Sequence, residues 1–173
     1  MTRRDEETDM LDTAPLRDAY RALLDAAVTV AEAGDAVTTP PPGEWNADQI
    51  LAHVSLVTAA TITAVSEVAA GAHAGYDNRN ALDPWTIDRL ITLAGGPEGL
   101  RTRLRHQGDA LCALAGPQLS GSELDTPVPT LLLSNGTVLV DQPLALRDLV
   151  TGLADVELPN HTAQLLALLP ARA

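Results

Sequence analysis

The sequence predicts an all-α protein, an antiparallel four-helix bundle with a short extra helix and a small β-hairpin before the last helix. Long segments place apolar residues at helical spacing, and cap residues or prolines open them. The chain has no Phe, two Trp and two Tyr, so Leu, Val, Ile and Ala must pack the core. At 173 residues we predict one domain over 13–173, preceded by a flexible N-terminus at 1–12.

The first two helices have clear start and stop signals. Thr13 is the predicted N-cap of the first helix, and Gly34 ends it. A proline-rich loop follows, and Asn46 with Gln49 then forms the reciprocal pair of a capping box. The second helix runs to Gly71. Its predicted inward face comprises Ile50, His53, Val54, Val57, Thr61, Val65 and Val68.

Two further helices follow a segment rich in Gly, Asn and Asp. That segment, 71–84, is predicted to be a long loop, where binding residues are often found. Asp83 and Pro84 then open a short helix that ends near Ala94. Pro97 opens a longer helix with an apolar face of Leu100, Leu104, Leu111 and Leu114.

The pattern changes between Pro127 and the C-terminus. Two short apolar runs flank Asn135-Gly136, a dipeptide typical of a type I′ turn, which predicts a β-hairpin at about 130–140. Pro143 is predicted to restart helix. The last helical segment then carries Leu146, Leu149, Val150, Leu153, Val156 and the leucines from Leu165 onward.

Charge and cysteine content exclude several classes of function. The formal net charge of −12 would repel nucleic acid and anionic membrane. The single cysteine, Cys112, allows no internal disulfide and makes a cysteine-based zinc site implausible, so a metal would need His and carboxylate ligands. No window approaches about 18 uninterrupted apolar residues. We expect a cytoplasmic protein that acts on a small molecule.

The four histidines fall into two groups. His73 and His106 lie in polar surroundings and are interpreted as solvated. His53 lies on an apolar helical face, and Glu157 and His161 are spaced i, i+4, so one helix can present both side chains to a metal ion. From spacing alone two interpretations stay open. The three residues form a metal site, or His53 is a hydrogen-bonded core histidine and Glu157 is solvated.

Two short motifs resemble a known group of helical bundles. The segment GEWNADQILAHV, 43–54, resembles the second-helix entrance of the DinB/YfiT-like superfamily, and PNHTAQLLALL, 159–169, resembles its last-helix motif. The order of predicted helices is compatible from about 14 to 169. The resemblance implies a divalent metal on His53, Glu157 and His161, since the mycothiol-dependent maleylpyruvate isomerase branch has a His, Glu, His set. It implies zinc first, with nickel or iron as alternatives.

Pro159 departs from a regular helix between two of these residues. Proline removes a backbone N–H and clashes with the carbonyl four residues earlier, at Asp155. A kinked helix would let Glu157 and His161 converge. A new helix starting at Pro159 would let Glu157 point elsewhere.

Other residues are candidates for substrate binding. Tyr76, Asn78 and Arg79 could line the pocket mouth, with Arg79 holding a carboxylate; the alternative is a solvated Asx turn. Trp45 could stack on substrate or simply pack beside the second helix. Cys112 is interpreted as a core residue.

Three functions are consistent with these features. The first is a metal-dependent transferase or isomerase that uses a low-molecular-weight thiol, such as mycothiol, with His53, Glu157 and His161 as catalytic ligands. The second is a metal-free binding protein, or a pathway-specific cyclase or isomerase, in which Glu157 acts as base with a histidine partner. The third is a non-catalytic, stress-associated homodimer that uses an exposed helix face.

Overall fold

The computed structural model describes residues 10–170, which are mostly helical and include a small three-stranded sheet. The helices are α1 (Ala14–Ala33), α2 (Ala47–Ala69), α3 (Arg79–Leu82), α4 (Pro84–Ala94), α5 (Pro97–Ala115), α6 (Gly121–Leu124), α7 (Leu146–Gly152) and α8 (Leu158–Leu166). A π-helical turn, Leu153–Glu157, joins α7 to α8. Most of the predicted flexible segment 1–12 lies outside the described residues.

The starts of α1, α2, α4 and α5 follow the predicted signals. The Asn46 side chain accepts from the backbone N–H of Gln49, and the Gln49 side chain accepts from that of Asn46, both at 3.0 Å. At α1, Thr13 occupies the N-cap position as predicted, but its side chain makes no capping hydrogen bond. The Asp12 carboxylate accepts from the backbone N–H of Ala14 instead, at 2.9 Å.

The sheet has the strand order β1–β2–β3, with β1 at Tyr76–Asp77, β2 at Pro127–Ser134 and β3 at Thr137–Ala145. β1 pairs with β2 in parallel, and β2 pairs with β3 antiparallel. Asn135 and Gly136, which connect β2 to β3, both have positive φ. This is the backbone conformation for which the Asn-Gly dipeptide is suited.

Two local predictions were wrong in this part of the chain. Pro143 does not start a helix, because it lies in β3 opposite Pro129, and α7 begins only at Leu146. Proline is tolerated there because β3 is an edge strand and needs no outward N–H donor. The segment 71–84 is not wholly loop, since it contains β1 and α3.

Packing buries the apolar faces that periodicity predicts. α2 packs against α5, and α1 packs against α5 and α8. Every residue of the predicted inward face of α2 is buried, including His53. Val156 and Leu166 are exceptions, because they are 56% and 44% exposed. The most deeply buried large side chains include Leu16, Leu23, Ile50, Leu51, Ile87, Leu100, Leu104, Leu111, Leu146 and Leu158.

One helix of the described chain, α2, is long and apolar enough to cross a membrane by composition alone. About 61% of that apolar window is buried inside the protein. The core position of α2 accounts for its composition, since a helix that packs on several faces is apolar nearly all round.

Candidate metal centre

Three polar side chains meet between α2 and the last helical segment. His53 projects from the buried face of α2 and is 3% exposed. Glu157 ends the π-helical turn, and His161 follows one turn later on α8. The structure therefore brings together the three residues that the sequence nominates as ligands.

The π-helical turn answers the question raised by Pro159. Leu158 donates its backbone N–H to the carbonyl of Leu153, five residues earlier, and the backbone at Glu157 stays helical. Pro159 sits in the first turn of α8, immediately after this wider turn. A π turn changes the local hydrogen-bond register, which accommodates a residue without an N–H. The helix continues through Pro159, and Glu157 and His161 converge.

Glu157 lies between the two imidazoles. Its Oε1 atom is 3.0 Å from His53 Nε2 and 3.2 Å from His161 Nε2. One potential ligand atom from each of the three residues lies within 4.8 Å of the others. Two ligands bound to one ion at about 2.0–2.2 Å would be roughly 3.0–3.5 Å apart, depending on the coordination angle. The two nitrogen-to-oxygen separations match that range.

The outer nitrogen of each ring has a hydrogen-bond acceptor. His53 Nδ1 lies 2.8 Å from the carbonyl oxygen of Ala81, which can only accept, so this nitrogen carries the proton. His161 Nδ1 lies 2.9 Å from the amide oxygen of Gln164 and donates to it. Such a partner on the outer nitrogen is typical of metal-bound histidine, because it sets the tautomer and the ring orientation.

With both outer nitrogens protonated, neutral rings would direct Nε2 lone pairs at the Glu157 carboxylate. Three electron-pair donors would then converge on one point, which is unfavourable without a positive charge between them. That charge is supplied either by protons on Nε2 or by a metal ion. The donor set, two imidazoles and one carboxylate, suits a zinc or non-haem iron site with open coordination positions.

The carboxylate of Glu157 is held in its ionised form. Burial by itself would raise its pKa, but when Nε2 of both rings carries a proton, hydrogen bonds from His161 and His53 outweigh that cost and lower the pKa to about 2. A carboxylate that resists protonation remains available as a ligand over the physiological pH range.

Trp45 covers the pair of histidines. Its ring centroid is 4.6 Å from that of His53 and 6.4 Å from that of His161, in the second case close to stacked. The indole thus restricts the orientation of both imidazoles and also lines the adjacent cavity. Trp45 therefore packs beside α2 and also lines the site.

The other predicted substrate-binding residues differ in position. Tyr76 is buried and lines the cavity, and burial, together with the nearby charge of Glu157, raises the pKa of its hydroxyl far above its usual range. Asn78 also lines the cavity, but its side-chain amide donates to the carbonyl of Leu133 and accepts from its N–H. It therefore fastens the segment after β1 to β2.

Arg79 is not among the residues that line the cavity. Its guanidinium binds the Asp77 carboxylate at 2.6 and 2.9 Å on an exposed surface, and its backbone N–H donates to the same carboxylate. That is the Asx-turn arrangement, the alternative considered for this segment. The structure does not bring Arg79 to the site.

The cavity beside the three ligands has a volume of about 690 Å³. Its walls come from α2, the β2–β3 pair and the last helical segment. This volume lies within the range of about 300–1,000 Å³ that is common for small-molecule sites. The geometry provides a place for a small molecule next to the metal ligands.

Sequence reasoning missed two groups at the site. Gln164 follows His161 by three residues, a helical spacing that could have indicated the contact, whereas no sequence signal marks the carbonyl of Ala81. Asp148 and Asp155, two acidic residues of the last helical segment, make no hydrogen bond to the imidazole of His53 or His161. His73 and His106 are exposed, and Cys112 is buried in the core.

Comparison with known proteins gives no relatives. No protein-family model matches the chain, and no curated protein or solved structure matches it significantly.

Proposed function

We propose that the chain is a metal-dependent transferase or isomerase of small molecules that uses a low-molecular-weight thiol at a centre formed by His53, Glu157 and His161. One observation carries the proposal. Both imidazoles have an acceptor on Nδ1, and both direct Nε2 at the same carboxylate oxygen, within 3.2 Å. A divalent cation bound by all three residues would satisfy this arrangement while both rings stay neutral.

Zinc is the proposed ion, with nickel and iron as alternatives. Three protein ligands leave coordination positions open, as catalytic zinc sites do, while two histidines and one carboxylate also suit non-haem iron. A divalent ion there would favour the thiolate form of a bound thiol or polarise a carbonyl oxygen.

The protein's own residues would prepare this chemistry. Glu157 contributes a negative charge that offsets part of the ion's charge, and the Ala81 carbonyl keeps His53 in the ligating tautomer. Trp45 shields the imidazoles from one side. The cavity has room for a thiol such as mycothiol, or a second substrate, beside the ligands.

The metal-free alternative is less well supported. A general base works best when its pKa lies near the working pH, and the pKa of Glu157 is about 2. Such a carboxylate would accept a proton poorly at neutral pH.

The third alternative, a non-catalytic stress-associated homodimer, would use an exposed helix face. Trp85 and Leu93 on α4 are 72% and 61% exposed. These two side chains give no reason for the convergent donors at His53, Glu157 and His161, so the dimer alternative is the weaker explanation of the site.

The finer architecture belongs to the same proposal. We propose that α1, α2, α5 and the α7–α8 segment form an antiparallel four-helix bundle of the DinB/YfiT type, with β2 and β3 as its hairpin. A cytoplasmic location, a small-molecule substrate and no nucleic-acid or membrane partner complete the proposed function.

Elemental analysis tests the metal centre. Protein purified without chelator or metal-affinity resin should contain about one divalent ion per chain, and His53→Ala and Glu157→Ala should lose it. His106→Ala is the matched control, because it removes an exposed histidine from α5. Added metal should raise the melting temperature of metal-free parent protein by several degrees, since the ion binds only the folded state.

Metal-free parent protein whose melting temperature ignores zinc, nickel and iron would contradict the proposal. The thiol part has its own measurement. Cobalt-loaded protein should develop a sulfur-to-cobalt charge-transfer band when 2-mercaptoethanol is added. A loaded protein that shows no such band with any thiol would exclude thiol binding at the ion.

A further inference from the structure

We infer that the cavity selects ligands with an uncharged or cationic apolar body and discriminates against ligands that carry a carboxylate away from the reacting head. This inference names the substrate class of the proposed centre and rests on the proposed function for the head group. It differs from the expectation that Arg79 would hold a substrate carboxylate.

Charge on the cavity wall is of one sign. The cavity is lined by three carboxylates, those of Glu44, Asp148 and Glu157. Apart from the histidines, no other charged side chain is among the described lining residues. The described lining contains no Arg or Lys, and the nearby Arg79 is bound to Asp77 outside it. Away from the two histidines, a ligand carboxylate would lose hydration without gaining a cationic partner, and it would approach the carboxylates of Glu44 and Asp148.

A metal ion would add positive charge to the cavity at one position only, between the three ligands. A divalent ion could take one anionic head, such as a thiolate, while Glu157 already offsets part of its charge. A second anionic group on the same ligand would reach a part of the cavity whose charged side chains, among the described lining residues, are the carboxylates of Glu44 and Asp148. Ligands with two carboxylates are therefore disfavoured.

Two facing apolar walls would accommodate the body of the ligand. Leu132, Leu139 and Leu144 form the ribbon wall, on β2 and β3, and Leu149, Leu153 and Val156 form the helix wall. Leu139 has no partner in the strand register, because Leu132 pairs with Val140 and Leu133 pairs with Val138. A β-bulge of this kind redirects a side chain, here at the cavity edge.

The outer members of both walls are exposed to water. Leu139 is 60% exposed and Val156 is 56% exposed, although both line the cavity. An apolar ligand body between the walls would cover both side chains and gain the free energy of burying apolar surface. The walls thus favour ligands with several methylene or aromatic carbons.

Three six-carbon thiols and one two-carbon thiol test the inference on cobalt-loaded protein. The probes are 6-mercaptohexan-1-ol, 6-amino-1-hexanethiol, 6-mercaptohexanoate and 2-mercaptoethanol, each titrated against the sulfur-to-cobalt band. We expect 6-mercaptohexan-1-ol to bind at least ~10-fold more tightly than 2-mercaptoethanol because of its additional buried methylenes. It should exceed 6-mercaptohexanoate by about 10-fold as well, and the amine should bind at least as tightly as the alcohol.

Variants separate the effect of the acidic side chains from that of the apolar walls. Asp148→Asn should improve binding of 6-mercaptohexanoate about 2- to 5-fold and leave the alcohol unchanged, while Asp155→Asn, outside the cavity lining, should change neither. Leu139→Ser should reduce the advantage of the six-carbon alcohol over 2-mercaptoethanol. Leu93→Ser removes an exposed leucine elsewhere and should not. Equal or tighter binding of 6-mercaptohexanoate by the parent protein would overturn the inference.

A metal-free measurement distinguishes this inference from the proposed function. The chain has two tryptophans, so Trp85→Phe leaves Trp45 in the cavity wall as the only indole. A saturable change in Trp45 emission on titration with 1-hexanol, and a much weaker response to hexanoate, would support the inference even if no metal binds. Equal affinity for both ligands would contradict it, whatever the metal content.

Discussion

At the level of single residues, the orientation of each imidazole depends on a group on the side of the ring that faces away from the proposed metal site. His53 is held through Nδ1 by the carbonyl of Ala81, and His161 through Nδ1 by the amide oxygen of Gln164. Only the second of these partners can be removed by substitution. Gln164 therefore offers the sharper test of how the site is prepared.

Gln164→Ala should weaken metal binding by about 10- to 100-fold, the usual effect of losing a partner of a ligating histidine. The physical reason is that the imidazole of His161 would no longer be restricted to the tautomer that directs Nε2 at Glu157. Isothermal titration of metal-free protein with zinc gives the affinity.

Two further variants complete this measurement. Gln164→Glu keeps an acceptor for Nδ1–H and should retain the affinity of the parent protein, which a purely packing role would not explain. Gln118→Ala removes an exposed glutamine remote from the site and should have no effect. If Gln164→Ala binds zinc as tightly as Gln118→Ala does, the orienting role is wrong.

The ligand residues themselves could be nominated from the sequence. His53 falls on an apolar helical face, and Glu157 and His161 have the spacing of two ligands on one helix. The carbonyl of Ala81 could not be nominated, because every residue has a carbonyl and only packing selects one. Arg79 was nominated because a guanidinium can bind a substrate carboxylate, but in the structure it binds the carboxylate of Asp77.

At the level of secondary-structure elements, the π-helical turn at Leu153–Glu157 is the feature on which the site depends. It ends two residues before Pro159, and it keeps Glu157 in helical backbone while the hydrogen-bond pattern shifts. π turns cost stability relative to regular helix and occur often at functional sites. We interpret this turn as the accommodation of Pro159.

Pro159→Ala should strengthen the helix and weaken the site. Alanine restores a backbone N–H that can donate to Asp155 and removes the ring clash, so the segment can relax towards regular α-helix and rotate Glu157 away from His53. We expect the free energy of unfolding to rise by ~1 kcal/mol or more. Zinc affinity should fall by about 10-fold, as expected when one ligand interaction weakens by roughly 1.4 kcal/mol.

Urea unfolding and zinc titration of the same metal-free sample measure both effects. Pro117→Ala, at an exposed position after α5, is the matched control and should change neither zinc affinity nor the contacts of Glu157. Full zinc affinity in Pro159→Ala would show that the site does not depend on the π turn.

At the level of the whole molecule, close approach between helices fixes the position of the α2 ligand. Gly108 on α5 faces the ring of Tyr20 on α1, and a Cβ atom at Gly108 would lie 2.9 Å from Tyr20 Cγ. The Tyr20 hydroxyl is also hydrogen bonded to Thr58 of α2 at 2.7 Å, which restricts movement of the ring. These contacts link α5, α1 and α2.

One glycine substitution tests this packing, and a second serves as its control. Gly108→Ala should destabilise the protein by about 1–3 kcal/mol, because the added methyl group overpacks the interface. Gly152→Ala should stabilise it by about 0.5–1 kcal/mol, since no atom lies within 4 Å of the added Cβ and the backbone is helical. Urea unfolding gives both values, and a stabilising Gly108→Ala would show that α5 and α1 can separate freely.

The sequence by itself determined the local features of this protein. It predicted the helical character, the capping box at Asn46, the buried face of α2 and the position of the turn at Asn135-Gly136. These features depend on neighbours within a few residues, where side-chain periodicity and backbone preferences act directly. The errors at Pro143 and in 71–84 arose where strand pairing with distant residues overrides local preference.

Only the tertiary structure decided what surrounds the three nominated ligands. His53 and Glu157 are 104 residues apart, and packing of α2 near the last helical segment sets their separation. The same packing places the carbonyl of Ala81 against His53 and leaves Arg79 outside the cavity. It also lines the cavity with carboxylates and leucines. Contacts between distant segments depend on how whole helices and strands fit together, and no local sequence pattern contains that information.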